Sequence, residues 1–107
     1  MKYDKLVRDL IPEIIEKNGS VAITRTLTDE EYKVYLEKKL DEEVAEFHES
    51  KSIEELADIA EVIYSLCFAC GSNPAKMDIE RMVKKAMRGG FDMKTLLIET
   101  IDKGERS

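Results

Sequence analysis

The sequence predicts an all-α protein of helical hairpins that form a four-helix-bundle-like core, completed by oligomerisation. Three observations carry that expectation. Helix-capping signals recur along the chain, apolar residues return at three- and four-residue spacing, and only five glycines and two prolines punctuate 107 residues. That length suits one domain, 1–107, and leaves no room for a second hydrophobic core. Hydrophobic residues at 43% and charged residues at 37% supply a core without the bias of a disordered chain.

The elements follow in order. Pro12 suits the first turn of a short helix over 10–17, with Asp9 as a candidate cap and Asn18-Gly19 as the stop. Residues 21–27 are β-branched and apolar but too few for a sheet, so they read as an extended connector or one short strand. Thr28-Asp29-Glu30-Glu31 has the capping-box pattern and opens a long helix to about His48. Ser52-Ile53-Glu54-Glu55 repeats that pattern and opens a second long helix, ending near Gly71. Asn73-Pro74 starts a third, which runs to Arg88 before Gly89-Gly90. Residues 93–101 are amphipathic and read either as a last helix or as a segment that packs only on a partner.

Composition removes several function classes. Asp and Glu number 23 against 17 Lys and Arg, a formal charge of −6, which argues against stable nucleic-acid binding through general attraction. The longest charge-free stretch, 62–75, is too short for a membrane span and contains Gly71, Ser72, Asn73 and Pro74. No apolar run follows the charged N-terminal residues, so a secretory signal is not expected and the expected compartment is the cytoplasm. Cys67 and Cys70 lie in an apolar run and read as two small buried hydrophobes. A zinc site would need two more ligands, and the single histidine, His48, reads as a surface or helix-end residue.

The acidic residues carry the chemistry. On a wheel of about 100° per residue, Tyr32, Leu36, Leu40, Val44 and Phe47 form one apolar stripe, and Glu43 falls inside it. Glu46 lies at its edge, so Glu43-x-x-Glu46 aims two carboxylates at whatever that face packs on. The next helix is apolar over most of its circumference, through Ile53, Leu56, Ile59, Ile63, Tyr64, Leu66 and Phe68, and reads as the buried centre of the fold. Its acids, Glu54, Glu55, Asp58 and Glu61, share the remaining sector. In an antiparallel hairpin turning between Ser50 and Lys51, Glu43 comes level with Asp58 and Glu46 with Glu55. Four converging carboxylates repel one another and resist desolvation unless cations neutralise them. An all-oxygen donor set of Glu43, Glu46, Glu55 and Asp58 favours a hard ion, Mg²⁺ or Mn²⁺.

Basic residues complement that set. Arg81, Lys84, Lys85 and Arg88 recur along one helix face, ending in Arg88-Gly89-Gly90-Phe91, and Lys5 and Arg8 add two cations near the N-terminus. Dipole complementation and solubility explain such a stripe in part; the sharper reading is phosphate binding by Lys5, Arg8, Lys84 and Arg88 beside a carboxylate-held metal.

These motifs resemble a known family, the all-α nucleoside triphosphate pyrophosphohydrolases that include MazG and the phosphoribosyl-ATP pyrophosphohydrolases. Glu43-x-x-Glu46 followed by Glu55-x-x-Asp58 resembles the family's E-x-x-E and E-x-x-D metal motifs. Lys5-Leu6-Val7-Arg8-Asp9 with Ile11-Pro12, and Arg88-Gly89-Gly90-Phe91, look like segments of its small MazG-like members. The segment between the acidic motifs, 47–54, is shorter than in many of those relatives, which leaves Glu42 beside Glu43, and Glu54 beside Glu55, as alternative ligands. The resemblance implies Mg²⁺-dependent hydrolysis of a nucleotide between its α- and β-phosphates, releasing a monophosphate and pyrophosphate. It also implies a homodimer or homotetramer, which agrees with the small size of the chain. The alternatives are a phosphoribosyl-ATP pyrophosphohydrolase and a non-catalytic helical module that binds a nucleotide or a protein.

Overall fold

Residues 2–104 are described by a computed structural model, and they contain four α-helices and no strand. The helices are α1 (Ile11–Lys17), α2 (Asp29–Ser50), α3 (Ile53–Ala69) and α4 (Pro74–Arg88). None is long and apolar enough to cross a membrane. Internal contacts divide the chain into two compact units, one up to Pro74 and one from Ala75 onward.

In the first unit, α1 starts one residue later than the capping reading required. Leu10 holds the N-cap position without a side-chain bond, so Asp9 is not the cap. The preceding turn already satisfies the first helical amide, because Ile11 N donates to Arg8 O at 3.0 Å. The helix ends as Asn18-Gly19 suggests. Ser20 N reaches back to Ile15 O at 3.2 Å and Gly19 N to Glu16 O at 3.1 Å, with Gly19 at φ +94°, the left-handed stop that glycine adopts without steric cost. Residues 21–27 form a connector with no strand; a lone β-branched run has no ladder partner here.

The α2–α3 hairpin is the frame of this unit. At its start the capping box is complete. Thr28 Oγ1 accepts from Glu31 N at 3.2 Å and Glu31 Oε1 accepts from Thr28 N at 3.0 Å. Only Lys51 and Ser52 separate the helices, so they run antiparallel. Lys51 takes the left-handed conformation (φ 54°) that closes α2, and its N–H bonds Phe47 O at 2.8 Å.

The second capping box is only half formed. Ser52 Oγ accepts from Glu55 N at 3.3 Å, but Ser52 N donates to Ser50 Oγ at 3.3 Å, so the Glu55 carboxylate is not needed at the cap. At its far end α3 closes with Ser72 N on Cys67 O (2.9 Å) and Gly71 N on Phe68 O (3.0 Å). Cys67 is buried, whereas Cys70 occupies the C-cap and is exposed, so only one of the two cysteines is the small core residue expected.

Burial is sparse. Among the described residues the buried set is Leu36, Val62, Cys67 and the carboxylate-bearing Glu43. The expectation that α3 forms a buried centre therefore does not hold within one chain. Its α2-facing strip is covered, but Ile53 is 78% and Phe68 64% exposed, with Leu56 and Tyr64 also open to solvent. One helix covers only a fraction of another's circumference, and α3 is apolar well beyond that fraction.

Helix α4 opens at Pro74, as the proline rule requires, and Gly89 (φ 82°) closes it with its N–H on Lys85 O at 2.8 Å. Ile79, Met82, Val83 and Met87 are exposed along it. Residues 93–101 have no helix, which decides between the two readings of that segment against the helical one. Thr95, Ile98, Thr100 and Ile101 are β-branched, and nine residues are too few to form a helix without packing.

Candidate functional site

The hairpin brings carboxylates from α2 and α3 together. Oxygens of Glu43, Glu55 and Asp58 lie within 4.8 Å of one another, and a second group, Glu42, Glu43 and Glu46, shares Glu43 with the first. The apolar stripe of α2 explains why Glu43 is there. With Leu36 on the same face buried to 2% exposure, Glu43 is carried into the interface and left only 6% exposed. Glu55 and Asp58, one turn apart on α3, are half-buried, as is Glu42, and Glu46 is exposed at the edge.

Two oxygens are buried without a hydrogen-bond partner, Glu43 Oε2 and Glu55 Oε2. Orphaned carboxylate oxygens of this kind are costly and rare in folded proteins. The electrostatics respond accordingly. Burial first, then the adjacent Glu43 carboxyl and the charges of Glu46, Glu43 and Asp58, push the Glu55 carboxyl up to about 7. Two carboxylates can share a hydrogen bond only when one holds a proton, so the crowding around Glu55 favours its neutral form.

Three cations border the group. Lys39 Nζ lies 3.2 Å from Glu43 Oε1 and 3.7 Å from Glu42 Oε1, with its side chain only 16% exposed. Lys5 Nζ bonds Glu42 Oε1 at 3.1 Å, and that contact raises the Lys5 pKa above its ordinary value. Arg8 Nη2 bonds Asp58 Oδ1 at 2.7 Å.

The residues singled out from the sequence are thus distributed unevenly. Glu43, Glu55 and Asp58 converge as expected, while Glu46 acts on Glu55 through charge and joins the neighbouring group with Glu42 instead. Lys5 and Arg8, read as phosphate ligands, lie on the carboxylates themselves. Lys84 and Arg88 are exposed on α4 in the other unit, and Arg81 of the same stripe is engaged locally, its Nε 2.8 Å from Asp78 Oδ1. Lys39 was not anticipated, although its spacing of three and four residues from Glu42 and Glu43 contains the signal.

The donor set tolerates a hard divalent cation. All its donors are oxygens, two of them are buried without a hydrogen-bond donor from another residue type, and oxygens of three carboxylates lie within 4.8 Å of one another. Comparison with known proteins is narrow. An uncharacterized protein of Mycolicibacterium smegmatis is 57% identical over 42 residues, which is 39% of this chain and 43% of that protein. The chain therefore spans less than half the length of that relative. No family profile matches the chain, and no solved structure matches it.

Proposed function

We propose that the protein is a Mg²⁺-dependent nucleotide pyrophosphohydrolase that splits a nucleoside triphosphate into monophosphate and pyrophosphate. The observation that carries this reading is Glu43. It is a carboxylate more than nine-tenths buried at a helix interface, with an unpartnered Oε2 beside Glu55 and Asp58. The resemblance of the two acidic motifs and of the Lys5–Asp9 segment to MazG-like enzymes supports the same conclusion.

In this reading Glu43, Glu55 and Asp58 hold Mg²⁺, with Mn²⁺ as a substitute, and Glu46 completes the set from its edge. Mg²⁺ supplies charge compensation for the phosphate chain and a more acidic water. The protein's own residues do the rest. Lys39 holds Glu43 by one oxygen and so keeps the other turned to the cluster. One of these carboxylates or a neighbouring glutamate, not fully committed to the cation, accepts the proton of the attacking water, whose oxygen bonds to the α-phosphorus as the bond to the β-phosphate bridge breaks. Lys5 and Arg8 are the candidate phosphate ligands beside the carboxylates, and Lys84 and Arg88 are candidates by their own helix face alone.

The chain works as a homodimer or homotetramer. Its covered core is three apolar residues, whereas the exposed side of α3 offers Ile53, Leu56, Tyr64 and Phe68 to a second copy. Neither Cys67 nor Cys70 is in a disulfide, which suits the reducing cytoplasm.

A panel of nucleoside triphosphates and phosphoribosyl-ATP, each with Mg²⁺, tests the proposal. Monophosphate plus pyrophosphate from a nucleoside triphosphate, lost with EDTA and in Asp58→Ala, is the expected result, whereas cleavage of phosphoribosyl-ATP alone moves the assignment to a phosphoribosyl-ATP pyrophosphohydrolase. No turnover on any of them, or full activity in Asp58→Ala, overturns it in favour of a non-catalytic binding module.

A further inference from the structure

The three cations at the cluster are not equivalent. Lys39 and both its carboxylates belong to α2, its side chain is 16% exposed, and its partner Glu43 is more exposed to protein than to water, so it is a fixed counter-charge. Lys5 and Arg8 come from the segment before α1, which has no regular secondary structure, and bridge 37 and 50 residues to their partners. Both pairs face solvent. The side chains are 40% and 30% exposed in Lys5–Glu42 and 55% and 38% in Arg8–Asp58, and ion pairs so placed are weakly held. The hydrogen bond from Ile11 N to Arg8 O (3.0 Å) ties the backbone of the segment's end to α1, while the Arg8 side chain is held by Asp58.

Charge points the same way. The two overlapping groups hold five carboxylates, Glu42, Glu43, Glu46, Glu55 and Asp58, against these three cations. An Arg8 guanidinium on Asp58 Oδ1 occupies an oxygen that a divalent cation would need, while Glu43 Oε2 and Glu55 Oε2 remain unpartnered. Guanidinium and ammonium groups also match phosphate oxygens as well as they match carboxylates.

We propose that Lys5 and Arg8 form a displaceable counter-ion arm: they neutralise Glu42 and Asp58 in the metal-free protein, Arg8 yields Asp58 to a divalent cation while Lys5 leaves Glu42 beside it, and both pass to the phosphates of the incoming substrate. This rests on the metal-site reading above and adds to it a competition within the chain. The arm makes metal and polyphosphate binding mutually reinforcing, because Asp58, which the cation takes, is the carboxylate that Arg8 must leave to reach phosphate.

The test is a calorimetric titration of the full chain with Mn²⁺ alone, and with tripolyphosphate in saturating Mn²⁺, a probe that needs no knowledge of the base. Arg8→Gln removes the competitor, so Mn²⁺ alone binds about two- to fivefold more tightly, on the scale of an exposed ion pair. Tripolyphosphate binding falls at least about tenfold, on the scale of lost charge-assisted hydrogen bonds. Lys5→Ala shifts both in the same directions, and Lys17→Ala, an equal charge change in the last turn of α1, shifts neither. A merely structural role for Arg8 weakens both ligands together. Mn²⁺ affinity unchanged or reduced in Arg8→Gln, or unchanged tripolyphosphate affinity, overturns the arm while leaving the metal site in place if Glu43→Gln abolishes Mn²⁺ binding. Absence of Mn²⁺ binding by the unaltered protein, or binding that survives Glu43→Gln, overturns the metal site and the arm with it.

Discussion

Two helices of this chain begin with nearly the same four-residue pattern, and the glutamates at their third helical position meet opposite fates. At α2, Glu31 returns to its own cap, accepting from Thr28 N, and Arg25 grips it by both oxygens at 3.1 and 2.8 Å. The Arg25 bond, followed by the backbone bond at Thr28, holds the Glu31 carboxyl down at about 2. At α3, Glu55 leaves its cap and faces three other acids, and its carboxyl rises to about 7. The pattern is the same; what precedes it differs. Arg25 stands three residues before Thr28, whereas Ser50 stands two before Ser52 and supplies the acceptor that Glu31 supplies at the other cap. A capping box thus makes one glutamate structural, and a neighbouring hydroxyl frees the other to join the acidic cluster.

That contrast can be broken by substitution. Glu55→Gln should reduce Mg²⁺-dependent turnover at least about 100-fold, the range of a lost acid-base or metal-holding carboxylate, while Glu31→Gln lowers the melting temperature and leaves turnover within about twofold. Steady-state kinetics and thermal melts on the same two preparations read both effects.

Next in size is the response to metal. With Mg²⁺ tenfold above its Kd the protein should gain about 1.4 kcal/mol of stability, and Glu43→Gln should gain none. Thr28→Ala should cost about 1 kcal/mol, as lost helix caps do, and leave the Mg²⁺ gain intact.

The pH profile separates the two glutamates by sign. Glu31, whose carboxyl is depressed in the folded state, contributes stability that is present above pH 4.5 and lost as the pH falls toward 2. Glu55, whose carboxyl is raised, acts in reverse. Between pH 4.5 and 7 the folded state keeps a proton that the unfolded state has released, so metal-free stability falls as the pH rises through that window and levels off above it. Melting temperatures across pH 2 to 8 should show both limbs, and Glu55→Gln should flatten the upper one.

The smallest and most diagnostic change is Ser50→Ala. It removes the acceptor of Ser52 N and invites Glu55 back to complete its capping box, so turnover should fall several-fold with little change in the melt. Unchanged turnover would mean that Ser50 does not hold Glu55 in the cluster.

Much of this arrangement is legible in the sequence. Helical periodicity and capping residues place the long helices to within about two residues, because those signals are local. Glu43 stands out because a charge inside an apolar stripe has no reason to be there unless it meets a partner. Val62 escapes the same reading. It lies among Glu55, Asp58 and Ser65 in a sector that looks wet, yet that sector is the one α2 covers, and Val62 is buried. That Glu46 groups with Glu42 and not with Glu55 and Asp58 depends on helix rotation within the hairpin, to which spacing alone is insensitive. The freeing of Glu55 turns on a single contact from Ser50 that no capping pattern encodes. The exposure of α3 also lies beyond one sequence, since a helix that is apolar on several faces looks the same whether its own chain or a second copy covers it.

The most direct test of the central claim is a carboxyl-detected NMR titration of Glu31 and Glu55 in the same sample, without and with saturating Mg²⁺. The account predicts Glu31 near 2 in both series, and Glu55 near 7 without metal, falling below the ordinary carboxylate value once Mg²⁺ is present. Glu55 titrating near 4.5 and unmoved by Mg²⁺ would contradict it, leaving the two caps alike and the acidic cluster an ordinary solvated face.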